Sequence, residues 1–457
     1  MYNKNAWTKY SDEDKKIVMD FSEGYKAFLS AAKTERLAVT EAVKIAEAKG
    51  FKPLDSFKSL KPGDKVYKIN KNKNLAVFII GNKPVVDGLR VLGAHIDSPR
   101  IDVKQNPLYE QTEQAYLDTH YYGGIKKYQY VTIPLALHGV IVKKDGTSVE
   151  VHVGEDPKDP VLGITDLLIH LSANQMQKSA ATVIEGEKLD LSVGSIPTKD
   201  GEKDSVKATI VKFFKDNYDI EEEDFLSAEL EIVPAGPARD YGLDRSMVAG
   251  YGQDDRVCAY TSLMAIVDVN EQPEYTSCCI LVDKEEVGSI GATGAQSKFF
   301  ENVVAELVEK TTGNCSFLDA SRAMENTMML SSDVSAGYDP LYPEVNEAKN
   351  SSYFAHGITF NKYTGARGKS GCNDANPEFV AKIRKVMDDE NINWQTAELG
   401  RVDQGGGGTI AYILGNYNMN VVDAGVPVFS MHSPMEITSK ADIYEAYRAY
   451  IAFLLKL

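Results

Sequence analysis

The 457-residue chain is predicted to be an α/β protein: a helix-covered, mixed and mostly parallel sheet interrupted by an inserted β-rich domain. Two observations carry the α/β assignment. Short apolar runs with β-branched residues alternate with helical periodicity in the first hundred residues and again after Tyr241, the pattern of a sheet covered by helices. Between them, from about Pro99 to Ala238, the texture changes to alternating strands and turns, which marks an insertion of roughly 140 residues. The predicted division is residues 1–98 and 241–457 for the main domain and 99–240 for the insertion.

In chain order, Ser11 reads as the N-cap of a helix with Asp12, Glu13 and Asp14 in its first turn, and apolar spacing of three and four runs from Phe21 through Ala48. DKVYKIN, NLAVFII and GLRVLGAHID follow as three strands from Asp64. In the insertion, Asp145-Gly146 between two alternating runs signals a hairpin. ITDLLIHLSANQMQ reads as helical and Gly186 to Asp204 as a charged, mobile stretch. Strands are expected at 276–282, 326–331, 355–360, 421–424 and 426–430, with helices near 256–268, 297–310, 376–390 and 440–455.

Composition narrows the function. A net charge of −16 without a basic stripe argues against nucleic acid as a partner, and no run of about 18 apolar residues exists to span a membrane. The first residues lack the apolar core of a secretory signal. Five cysteines without metal or redox spacing fit a reducing compartment, so a cytoplasmic location is expected.

The chemistry-bearing residues lie at predicted strand ends. His95 and Asp97 end VLGAHID, and His432 follows the apolar run of PVFSMHSPMEI; alone, each histidine reads as an ordinary one. Asp254 and Asp255 precede a helix, where capping is the plain reading, and Asp333 follows a strand, where a turn is. Glu285 and Glu286 end the strand TSCCILV just before the glycines at 288, 291 and 294. The carboxyl ends of parallel strands gather in one crevice. Imidazoles and several carboxylates converging there repel one another unless cations hold them, and a pair of divalent metals does so.

HIDSPR, QDDR, DKEEVGS, SSDVSAGYDP and MHSPMEI, in this order and spacing, resemble the motifs of the aspartyl-aminopeptidase-like family of di-zinc exopeptidases, as a bacterial member would carry them. The resemblance spans nearly the whole chain, insertion included, and implies that the sheet is of the zinc-exopeptidase type. It implies a metallo-aminopeptidase that removes the N-terminal residue of short peptides. His95 and His432 would each bind one ion, Asp254 would bridge both, and Glu286 and Asp333 would complete one ligand on each; Asp255 matches a position that is not a ligand. Asp97 would accept a hydrogen bond from His95, and Glu285 would be the general base. Two divalent ions per chain are implied, zinc first, with cobalt or manganese also suited to such ligands.

The resemblance also implies a homo-oligomer built from dimers through the insertion, with a dodecamer as the candidate size, in which His170 reaches a neighbour's substrate site. DQGGGGTIAYI lacks the Lys and spacing of a P-loop and matches a pocket wall. KYTGARGKSG is a basic loop where family members that favour Asp or Glu read the N-terminal residue; its pattern differs here, so acidic and neutral or broad preferences both stay open. Competing readings are a carboxypeptidase or N-acyl amino-acid deacylase on the same scaffold, or a non-catalytic cargo or binding homologue. The presence of Glu285 weighs against the last.

Overall fold

The computed structural model describes residues 4–199 and 203–457. It divides into two compact units: residues 1–97, 238–431 and 436–457 in the first, 98–237 and 432–435 in the second.

The first unit is built on a nine-stranded mixed sheet. At its centre, Thr276–Val282, Leu89–His95, Met328–Ser331 and Asn420–Gly425 run parallel, and antiparallel neighbours flank them on both sides. Side chains alternate faces along a strand, and the two faces have separate cores. Leu75, Val77, Leu92, Ala94, Cys279 and Leu281 pack against the helices Asp12–Ala31, Glu35–Ala48, Gln253–Val267 and Lys440–Lys456. Ala76, Phe78, Leu89, Val91, Cys278 and Ile280 pack against Phe299–Thr312, Phe317–Glu325 and Ala411–Gly415. Burial on both faces explains why these strands read as continuous apolar runs. A five-stranded sheet, from Arg239–Tyr241 to Ser335–Ala336, completes the unit.

Local expectations hold closely here. Ser11 caps its helix in a reciprocal arrangement with Asp14, and Thr276–Val282 matches its predicted bounds. The helix Phe317–Glu325 was not anticipated, although Ser316 and Asp319 form a capping box three residues apart.

The second unit is a six-stranded antiparallel sheet with its own core, which includes Ile101, Leu117, Leu137, Leu191, Phe214 and Ile232. Leu135–Val142 and Ser148–Val153 form the hairpin predicted around Asp145-Gly146. The segment 164–177, expected to be helical, instead holds only the single 3-10 turns Ile169–Leu171 and Gln175–Gln177. Its apolar side chains Leu167, Leu168, Ile169, Leu171 and Met176 are exposed, so no buried stripe stabilises a helix against its nucleation cost. The helix of this unit is Ser205–Tyr218, beside the stretch expected to be mobile. Within that stretch Leu191–Gly194 is a strand, and residues 200–202 lie outside the described residues.

Candidate metal centre

His95 is the last residue of its strand, paired in register with Val282 of the parallel neighbour. Its ring is almost wholly buried, and Nδ1 lies 3.0 Å from the main-chain oxygen of Asp97. The Asp97 carboxylate is slightly farther, 3.3 Å from the same nitrogen, so the shorter contact is to the carbonyl and not to the side chain expected. A carbonyl only accepts, so Nδ1 carries a hydrogen, and Nε2 is the nitrogen that takes either a proton or a metal ion. Nε2 faces Asp254 Oδ1 at 3.1 Å and Asp333 Oδ1 at 4.0 Å.

Such a set of acceptors is held together by a proton or a cation. Burial alone would lower the His95 pKa, but the Asp254 and Asp97 groups outweigh it and push it well above its ordinary value. Asp333 and Asp255 are pushed well above the carboxylate range, first by burial, with neighbouring carboxylates adding to it. Without a metal, the cluster therefore retains protons that a divalent ion would replace.

Asp97 has a second task. Its fully buried carboxylate accepts the Glu285 N–H at 3.1 Å through Oδ1 and the Glu286 N–H at 3.2 Å through Oδ2. The strand ends at Val282, Lys284 takes a left-handed backbone, and Glu285–Val287 forms a single 3-10 turn ending at Gly288. The two glutamates thus leave the alternation of the strand, and one carboxylate anchors both of their amides.

Asp254 and Asp255 open the helix Gln253–Val267 with non-helical backbone angles. Asp254 N–H donates to Glu436 Oε2 at 3.1 Å, and Asp255 Oδ2 accepts the His95 N–H at 3.3 Å. Glu436 is almost fully buried, and sequence reasoning missed it; the only signal was its place in MHSPMEI.

Ligand atoms of His95, Asp254 and Glu286 lie within 4.8 Å of one another, as do those of His95, Asp255 and Asp333. Glu285 belongs to neither group, and Asp255, set outside the ligands by the resemblance, enters the second. His432 is in neither group and falls in the second unit, where its Nδ1 lies 2.9 Å from the Gly124 carbonyl oxygen, which leaves the lone pair on Nε2. His170 sits exposed on the turn Ile169–Leu171 of that unit.

The two loops singled out earlier line one cavity of about 260 Å³, with Gly365, Arg367 and Lys369 from one and Asp403 and Gly405 from the other; Arg401, just before the second loop, lines it too. Lys362 and Lys369 both pair with Asp374, so part of the loop's positive charge is already neutralised.

The family described as aminopeptidase I zinc metalloprotease (M18) matches residues 28–454. The chain belongs to the M18 family. A probable M18 family aminopeptidase 1 of Clostridium acetobutylicum is 60% identical over 456 residues, covering 99% of this chain and 98% of the relative. Its Thermotoga maritima counterpart is 44% identical over the full length of both chains. The crystal structure of a T. maritima M18 aminopeptidase superposes with a TM-score of 0.96 at 44% identity, each chain covered completely. Aminopeptidase I of C. acetobutylicum gives 0.92 at 58% identity, covering 99% of this chain and 98% of that one. A yeast structure solved as a dodecamer shares the fold at a TM-score of 0.77 and 21% identity, covering 95% and 96%. This M18 chain is accordingly a zinc-family metallo-aminopeptidase, an α/β protein with large mixed sheets. No described helix is long and apolar enough to cross a membrane.

Proposed function

We propose that this aminopeptidase removes the N-terminal residue of short peptides at a two-ion site held by His95, Asp254, Glu286, Asp333 and His432, with Asp254 shared between the ions. The observation that carries the reading is the His95 ring, whose Nε2 faces carboxylate oxygens at 3.1 and 4.0 Å, so that a cation between them replaces the proton the cluster otherwise holds. Buried imidazole and carboxylate donors of this kind suit zinc, with cobalt and manganese as substitutes. When bound, two such ions lower the pKa of a water and polarise the scissile carbonyl.

Glu285 takes the proton of the attacking water and delivers it to the leaving amine. Asp97 is a positioning residue: through the two amides it fixes where Glu285 and Glu286 stand, and through the Nδ1 contacts it orients His95. His170 belongs to a neighbouring subunit's substrate site. The exposed apolar run from Leu167 to Met176 supports a homo-oligomeric interface on the inserted unit, in an assembly of dimers for which a dodecamer, as solved for the yeast protein, is the candidate size. The location proposed is the cytoplasm, in keeping with cysteines that are all free.

Digestion of a peptide library, with metal analysis of the same sample, tests the proposal. Release of N-terminal residues with two ions per chain, blocked by N-acetylation of the peptides, is expected. Full activity with a single ion per chain would overturn the shared-Asp254 site.

A further inference from the structure

On the hairpin of the second unit, His138 and His152 are directly opposite one another on antiparallel strands. Their Nδ1 atoms are 3.2 Å apart. His138 is buried, while the His152 side chain is 42% exposed and so open to solvent. A carboxylate stands behind each ring. His138 Nε2 is 3.1 Å from Glu155 Oε1, and the other oxygen of Glu155 accepts the Gly236 N–H at 2.9 Å. His152 Nε2 is 3.5 Å from Glu150 Oε2, a looser contact at the surface.

Carboxylates only accept, so the 3.1 Å contact to Glu155 favours N–H at Nε2 of His138 and leaves its lone pair on Nδ1, while the looser 3.5 Å contact to Glu150 lets His152 present either a lone pair or an N–H at Nδ1. With the His152 lone pair also on Nδ1, two lone pairs face one another across 3.2 Å, a repulsive arrangement that a cation between them relieves. The 3.2 Å contact is then bridged either by a hydrogen, as an N–H···N bond or a shared proton, or by a metal ion.

We propose that His138 and His152 form a two-imidazole site for a divalent transition-metal ion of the zinc, nickel or copper class, sharing no residue with the catalytic cluster. Metal–imidazole bonds of about 2.0–2.1 Å place two nitrogens about 3.3 Å apart at a tetrahedral angle and about 2.9 Å apart at a right angle. The observed 3.2 Å lies between these spacings. A carboxylate behind the ligating imidazole is the usual partner that fixes its tautomer and raises its basicity. Water on the exposed His152 side completes the coordination. Calcium and magnesium, which select oxygen donors, are excluded by the two nitrogens. The ion joins the two hairpin strands and, through Glu155, the segment at Gly236, so it acts as a staple within the inserted unit.

Equilibrium dialysis of the purified, metal-loaded enzyme against zinc and, separately, nickel tests the site, with metal counted per chain. Wild type should take up one more ion than His152→Gln or His138→Gln, while all three keep peptidase activity. Glu155→Gln should weaken that ion's binding about tenfold or more. His120→Gln, an exposed histidine of the same unit, should leave the extra ion in place. His152 is the decisive position because its exposure lets the variant fold. An equal ion count in wild type and His152→Gln would overturn the site. So would the absence of an additional ion at about 1 mM free metal, which would leave a shared proton as the bridge.

Discussion

Replacing Asp97 by Asn removes one negative charge and one acceptor from a carboxylate that serves three donors. Its Oδ1 takes the Glu285 N–H at 3.1 Å and lies 3.3 Å from His95 Nδ1, while Oδ2 takes the Glu286 N–H at 3.2 Å. An amide offers one oxygen, so in either orientation one backbone N–H meets an NH2 group. The site is fully buried, and a donor left there without a partner costs about 1–3 kcal/mol. The same change weakens the support of His95, for which about 10- to 100-fold in metal affinity is the usual loss. Zinc affinity can be read by competition with a chromophoric chelator, and turnover at saturating zinc on an N-terminal amino-acid amide. Affinity should fall within that range, and turnover should stay reduced after zinc is restored, because the anchor of the Glu285 turn is gone. Wild-type affinity together with wild-type turnover would refute the role given to Asp97.

Glu285→Gln should keep the wild-type zinc content and lose about a hundred- to ten-thousand-fold in kcat; loss of metal with activity would mean that the roles of Glu285 and Glu286 are reversed. Asp254→Asn should lower occupancy of both ions and Asp333→Asn mainly of one, as counted by metal analysis; equal single-ion losses would refute the bridge. Mixing inactive Glu285→Gln and His170→Phe chains under subunit exchange should restore part of the activity, and a fully active His170→Phe enzyme would refute the trans role of His170. Asp423, buried between Ser331 and Thr409, has its pKa pushed up by burial from 3.8 to about 6. The native state then binds more protons than the unfolded chain between those values, so this group's contribution falls as pH rises from about 4 to 6. At about 1.36 kcal/mol per pH decade the cost at neutral pH is about 3 kcal/mol. Asp423→Asn should therefore raise the Tm more at pH 7 than at pH 4, and an equal change at both would contradict the shift.

Much of this protein is determined locally. The capping residues at Ser11, the alternation of DKVYKIN and NLAVFII, and the long apolar runs of the central strands specify helices and strands through short-range periodicity and burial on one or both faces. Of the candidate ligands, His95, Glu286 and Asp333 lie at or just past the ends of parallel strands, which a sheet brings to one edge; Asp254 instead opens a helix, and His432 stands in neither ligand group. Periodicity failed at 164–177, where apolar spacing alone predicted a helix but no surface of the same unit covers those side chains. Only the tertiary structure decided which atom meets which. Asp97 anchors the amides of residues nearly 190 positions away, Glu436 holds the Asp254 N–H, and Asp255 holds that of His95. His138 and His152 face each other because the hairpin register aligns them. Contacts of this kind depend on how separate segments pack to within hydrogen-bonding distance, and no local pattern in the chain encodes that distance.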